Sequence, residues 1–171
     1  MRTTKVLVLM AALVVLVAPF RASAADYPTS ELFLGFRYMN IEGSLNGFGW
    51  GTDYAYNFHK NFGLAAELGG VYGSGNGRSF NLHDILVGPR VTLRGEQWSP
   101  FAHFMIGGGV ASASGIGSGS GFMFAAGGGL DYSLSKTLSF RVAQVDYVAL
   151  TGGGTANSVR AQTGVVFKFG N

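Results

Sequence analysis

The sequence predicts an all-β chain: an eight-stranded antiparallel up-and-down transmembrane β-barrel preceded by a cleavable signal peptide. Three observations predict it. Eight stretches alternate in side-chain character with a period of two, each roughly as long as a tilted strand needs to be to cross a bilayer. Twelve charged residues fall on one face of these stretches and none on the other. A short basic start followed by an apolar run opens the chain.

The leader comes first. Arg2 and Lys5 precede an apolar run from Val6 to Phe20, and Ala22-Ser23-Ala24 supplies the small-x-small pattern of a cleavage site. The run is shorter than the roughly 20 residues of a membrane-spanning helix, so a signal peptide over 1–24 is expected, with cleavage after Ala24 and a barrel domain over 25–171. Removing Arg2, Lys5 and Arg21 leaves nine basic and nine acidic residues. The formal charge of +3 therefore belongs to the leader, and no basic patch for nucleic acid is left. With no cysteine there is no disulfide framework, thiol nucleophile or zinc-thiolate site. The 28 glycines lack a G-X-Y period and stand beside only four prolines, which excludes collagen.

The strands follow in order. In residues 31–38, Leu32, Leu34, Phe36 and Tyr38 share one face, and Glu31, Phe33, Gly35 and Arg37 the other. In 48–58, Phe48, Trp50, Thr52, Tyr54, Tyr56 and Phe58 alternate with Gly49, Gly51, Asp53, Ala55 and Asn57. The same reading holds for 62–72, 82–94, 100–110, 122–132, 137–148 and 159–169. The connections alternate between short turns (59–61, 95–99, 133–136) and longer stretches rich in Gly, Ser and Asn (39–47, 73–81, 111–121, 149–157). The latter are expected to be mobile loops on the outer side of the membrane.

The faces decide the environment. The apolar face is assigned outward, toward lipid. The inward face then carries Glu31, Arg37, Asp53, Glu67, Asp84, Arg90, Arg94, Asp131, Arg141, Asp146, Arg160 and Lys168, with His103 beside them. A basic side chain facing the bilayer midplane costs roughly 2–4 kcal/mol, so this separation is what lipid demands. Strict alternation cannot place Arg141 and Asp146 on one face, and a bulge near Ala143-Gln144 restores the phase. Folding the last hairpin about Gly153 then sets Asp146 opposite Arg160. Glycines at 35, 49, 51, 63, 69, 88, 107, 109, 127, 129 and 164 also fall inward, making room in a lumen that eight strands leave just wide enough for side chains. Outward aromatics form two belts: Tyr38, Trp50, Tyr72 and Tyr147 near the loops, and Phe58, Phe62, Tyr132, Phe167 and Phe169 near the turns.

The C-terminus carries the most specific motif. Gln162-x-Gly164-x-x-Phe167-x-Phe169 matches the polar-x-Gly-x-x-aromatic-x-aromatic signal of the last strand of bacterial outer-membrane proteins, although Gly170 and Asn171 run past the final aromatic. With this motif, the region after the leader resembles the eight-stranded OmpA-type and OmpX-type barrels, grouped as the outer-membrane β-barrel domain family. The resemblance implies a location in the cell outer membrane, contact with outer-membrane lipid, and handling by periplasmic chaperones and the barrel-assembly machinery. It also implies a monomer. The peptidoglycan-binding domain of full OmpA-type proteins has no counterpart in this sequence, so that role is not carried over.

Candidate chemistry is sparse. Barrels that resemble lipid A deacylases place His and Ser two apart on a strand. Here the residues two after His59, His83 and His103 are Asn61, Ile85 and Met105, none of them a nucleophile. Ser79 lies near His83 without a third partner. Three scattered histidines do not make a metal site. Gly107-Gly108-Gly109 and Gly127-Gly128-Gly129 lack the helix and lysine of a phosphate loop. No catalytic residue, metal or cofactor is therefore expected. Inward Phe33, Phe101, Met105 and Met123 raise the alternative of a pocket for a small apolar ligand, against the simpler reading that they pack to seal the lumen.

Overall fold

The computed structural model describes residues 27–41, 45–75, 78–115, 117–152 and 154–170. The expected leader and its cleavage residues Ala22 and Ala24 lie outside them. Eight strands follow one another: β1 (Ser30–Ile41), β2 (Leu45–Asn57), β3 (Phe62–Gly75), β4 (Arg78–Thr92), β5 (Trp98–Ala113), β6 (Gly117–Ser133), β7 (Leu138–Thr151) and β8 (Thr155–Phe169). Each pairs antiparallel with the next, and β8 returns to β1, so the sheet closes with no free edge. Among the described residues there is no helix.

Alternation fixes which side chains enter the lumen. Along β1, Phe33, Arg37 and Met39 are buried while Leu34 and Phe36 are about half exposed. The same switch runs through β4, where Leu82, Asp84, Leu86 and Arg90 are buried between exposed Ile85, Val87 and Val91. The outer surface is an apolar belt in which aromatic rings meet across strands. Phe36 stacks on Phe48 at 5.8 Å, and Phe124 lies 6.4 Å from Phe104 and 6.3 Å from Tyr147. At the end holding the short turns, Trp98 lies 4.7 Å from Tyr132, adding a belt residue that the alternation pattern did not supply.

The bulge falls one residue earlier than the sequence suggests. Arg141 pairs with Gly164 but Gln144 with Gln162, so Val142 and Ala143 both turn outward. The physical reason is Gln144 itself: its amide is buried between Arg141 and Asp146 and hydrogen-bonded to both.

The four long loops are corrected to strand. Pairing runs out to Ile41↔Leu45, Gly75↔Arg78, Ala113↔Gly117 and Thr151↔Thr155. The expected connections at 39–47, 73–81, 111–121 and 149–157 thus shrink to 42–44, 76–77, 114–116 and 152–154. Ladder hydrogen bonds need only backbone, so a Gly- and Ser-rich segment stays paired once the strand below it is anchored. Gly115 and Gly117 (φ +80° and +105°) take the left-handed conformations that the β5–β6 turn requires. Side chains reinforce these extensions: Tyr38 Oη and Asn40 Nδ2 both donate to Asn46 Oδ1 at 2.7 Å, and Tyr147 Oη donates to Asn157 Oδ1 at 2.6 Å.

Candidate functional site

The lumen holds the densest chemistry in the molecule. Charged side chains from seven strands meet in it, because inward positions of neighbouring strands share one narrow space. One linked network runs along it. Arg90 donates to Asp53 Oδ1 at 2.9 Å, and Asp53 Oδ2 accepts from Arg141 Nη1 at 2.7 Å. Arg141 also forks onto Asp131, with Nε to Oδ1 at 2.8 Å and Nη2 to Oδ2 at 3.2 Å. Gln144 then relays: its Oε1 accepts from Arg141 at 2.7 Å, and its Nε2 donates to Asp146 at 2.8 Å. Asp146 meets Arg160 and, through Oδ1, His103 Nε2 at 2.7 Å. Arg160 continues to Glu67 and Asp84, which also bind Arg37. Gln162 closes the far end, accepting from Arg37 Nε at 3.1 Å and donating to Glu67 at 3.2 Å.

Every member of this network is at most 8% exposed, and Arg37, Gln144, Asp146 and Arg160 are at 0%. Buried charges are tolerable only when paired and hydrogen-bonded. Each of the four arginines and five carboxylates has at least one oppositely charged partner. His103 sits on the carboxylate that two guanidinium nitrogens also contact, while Asp84 Oδ1, Arg90 Nε and Nη2 and His103 Nδ1 are left without a hydrogen bond. Ion pairs of this kind tie the inward faces of the strands together across the lumen.

Three other charges sit nearer the turn end. Arg94 lies just past β4, donating to Glu31 at 2.8 Å and to the Lys60 carbonyl at 2.8 Å. Lys168, in register with Glu31, donates to Ser133 Oγ at 3.1 Å.

Glycines make the space for this packing. Gly164, Gly35, Gly51 and Gly69 stand side by side across β8, β1, β2 and β3. A Cβ at Gly69 would overlap the Arg37 guanidinium, one at Gly51 the Gln162 Oε1, and one at Gly35 or Gly164 the Phe33 ring. The row is a smooth strip of wall on which large side chains lie flat.

The four inward residues of the apolar-ligand alternative, Phe33, Phe101, Met105 and Met123, are packed against other side chains. Arg141 Cζ lies 4.4 Å from the Phe33 ring centre and 4.3 Å from that of Phe101, and Arg90 lies 4.8 Å from Phe101. The two rings are thus occupied by guanidinium faces. Met105 and Met123 are wholly buried in an apolar cluster with Leu82, Leu86 and Val148. Alternation identified these side chains as inward but could not show that cations fill the space between them.

The remaining singled-out residues are placed as follows. His59 is exposed in a turn against Phe62, 5.7 Å between ring centres. His83 faces outward, edge-on to Tyr72 at 5.4 Å. Among the described residues no three His, Cys, Asp or Glu side chains group as metal ligands. Of the C-terminal motif, Phe167 and Phe169 point outward, Gly164 belongs to the glycine row, and Gln162 joins the lumen network. Gln144 and Gln162 were not counted as lumen-network residues on charge alone. Their signal was phase: Gln144 lies two before Asp146, and Gln162 two after Arg160.

No protein-family profile matches the chain, and no curated protein sequence matches it. Solved structures do. Neisserial surface protein A superposes with a TM-score of 0.72 at 14% identity, covering 85% of this chain and 100% of that one. Ail, the attachment invasion locus protein of Yersinia pestis, gives 0.62 at 17% identity, with 84% and 99% covered. The outer membrane enzyme PagL gives 0.56 at 16% identity, with 81% and 98% covered. At these identities the likeness concerns architecture. The chain has the eight-stranded β-barrel fold of bacterial outer-membrane proteins.

Proposed function

We propose that this protein is a non-enzymatic barrel of the bacterial outer membrane that works from its hairpin end. The observation that carries the reading is the lumen network from Arg90 to Arg37, which fills the barrel with paired charge. A lumen packed in this way argues against a pore. No described histidine stands two residues before a nucleophile, which argues against a deacylase-type site even though one structural neighbour is an enzyme.

In this reading lipid covers the apolar belt, and the short connections at 58–61, 93–97 and 134–137 face the periplasm. The paired extensions of β1–β2, β3–β4, β5–β6 and β7–β8 then stand outside the cell. They present Gly, Ser, Asn and Thr on a rigid ladder, which suits a structural or surface-contact role. Gln162, Gly164, Phe167 and Phe169 form the signal read by the assembly machinery, and the barrel is a monomer. The test is to replace 114–116 and 152–154 in turn with a two-residue turn and to measure folded barrel and cell-surface adhesion in parallel. The proposal expects unchanged insertion with lost adhesion for at least one hairpin. Unchanged adhesion in every inserted variant would contradict a surface role.

A further inference from the structure

The lumen is sealed along the charged network but not at the hairpin end. There the inward residues change from charged to apolar. Met39, Ile41, Phe80, Leu82, Ala111 and Leu150 line a cavity of about 430 Å³, and among the described residues its lining holds no charge. Its floor is closed, because Met39 and Leu82 belong to the buried cluster that continues down to Met105 and Met123. Its walls are not: Ile41, Phe80, Ala111 and Leu150 are only half-buried and pack against that cluster from above. Gly117 and Gly119 in its lining contribute no side chain that would fill it.

One polar side chain faces inward here. Ser158, in register with Ile41 and Val148, is 7% exposed. Its hydroxyl makes no hydrogen bond among the described residues. Its oxygen is not fully enclosed and reaches the cavity space, where a bound molecule can meet it.

We infer that this cavity binds a small neutral amphiphile: an unbranched apolar chain bearing one uncharged hydrogen-bonding group that meets Ser158. Size chooses the occupant. The volume lies in the lower part of the roughly 300–1,000 Å³ range of small-molecule sites. At about 430 Å³ between inward side chains, the cavity is too small for a strand, a helix or a second copy of the chain. Among the described lining residues none would serve as a counter-ion to a carboxylate or ammonium, which favours a neutral ligand. The network below blocks onward passage, so the site holds its ligand instead of conducting it. This inference is independent of the surface role proposed above.

The test uses the full chain folded in phospholipid nanodiscs with methyl-labelled methionine, and decan-1-ol as the probe. The Met39 methyl resonance should shift saturably with decanol, while Met105, deeper in the cluster, should shift far less. Ala111→Phe and Leu150→Trp, two separate fillers of the cavity, should each abolish saturation while keeping heat-modifiable mobility, so that failure of one to fold leaves the other to decide. Ser158→Ala should weaken decanol several-fold, as loss of a single hydrogen bond does, and decanoate should bind more weakly than decanol. A Met39 response that stays linear, that survives in a folded filled variant, or that favours decanoate would overturn the inference.

Discussion

Asp146 and Arg160 face each other directly across the β7–β8 hairpin, and two nitrogens of the arginine converge on one carboxylate oxygen. Nε and Nη2 reach Oδ2 at 3.0 and 2.8 Å, leaving Oδ1 to His103. Arg160→Ala would leave Asp146 with only His103 and Gln144, and Glu67 with only Arg37 and Gln162, at a cost of about 3 kcal/mol, the lower end for breaking a buried pair. Val159→Ala, one residue away on the outer face, should cost well under half of that. Denaturant unfolding of both variants in the same lipid checks the difference.

Phe33 supports Arg141 through its ring face. Phe33→Leu keeps an apolar side chain of fair size but removes the cation–π contact, worth about 2 kcal/mol when desolvated. The variant should lose roughly that much stability. A loss no larger than that of a conservative core swap would show that the stacked geometry contributes nothing.

The glycine row gives a paired test. A Cβ at Gly69 meets the Arg37 guanidinium, whereas one at Gly119 meets nothing within 4 Å. Gly69→Ala should destabilise by about 1–3 kcal/mol, the usual range for overpacking, and Gly119→Ala should be neutral within about 0.5 kcal/mol. Thermal shift of the heat-modifiable band reads both.

These pairs also show what the sequence could convey. Period-two alternation was enough to separate Leu34 from Phe33 and to put the charged residues on one face, because only the local backbone decides that. The conflict between Arg141 and Asp146 revealed a bulge, since a charge is intolerable on an apolar belt. The pattern sets the bulge one residue late because charge alone gives Gln144 no weight, although a buried amide also needs hydrogen-bond partners. Partners beyond the hairpin were not legible. Arg37 with Asp84 and Arg141 with Asp53 join strands far apart in the chain, and which charges meet depends on strand stagger. The hairpin extensions carry no strand signal in the sequence, because a Gly-Ser ladder such as 117–121 has no apolar face.

The lipid-face assignment makes a depth-dependent prediction. Leu34→Arg, in the apolar belt, should cost roughly 2–4 kcal/mol, and Ser118→Arg, on the exposed hairpin, roughly 0–1 kcal/mol. Phe33→Arg is not a tolerant comparator, because the new cation would sit against Arg141. Equal folded fractions for Leu34→Arg and Ser118→Arg would place the belt outside lipid.

The most direct test of a barrel closed by its own ion pairs is conductance across a planar lipid bilayer. The folded full chain should show no unitary steps, because the lumen from Arg90 to Arg37 is filled by paired side chains. Reproducible single-channel openings of the wild-type protein would mean that the network parts in the membrane, and would contradict the account.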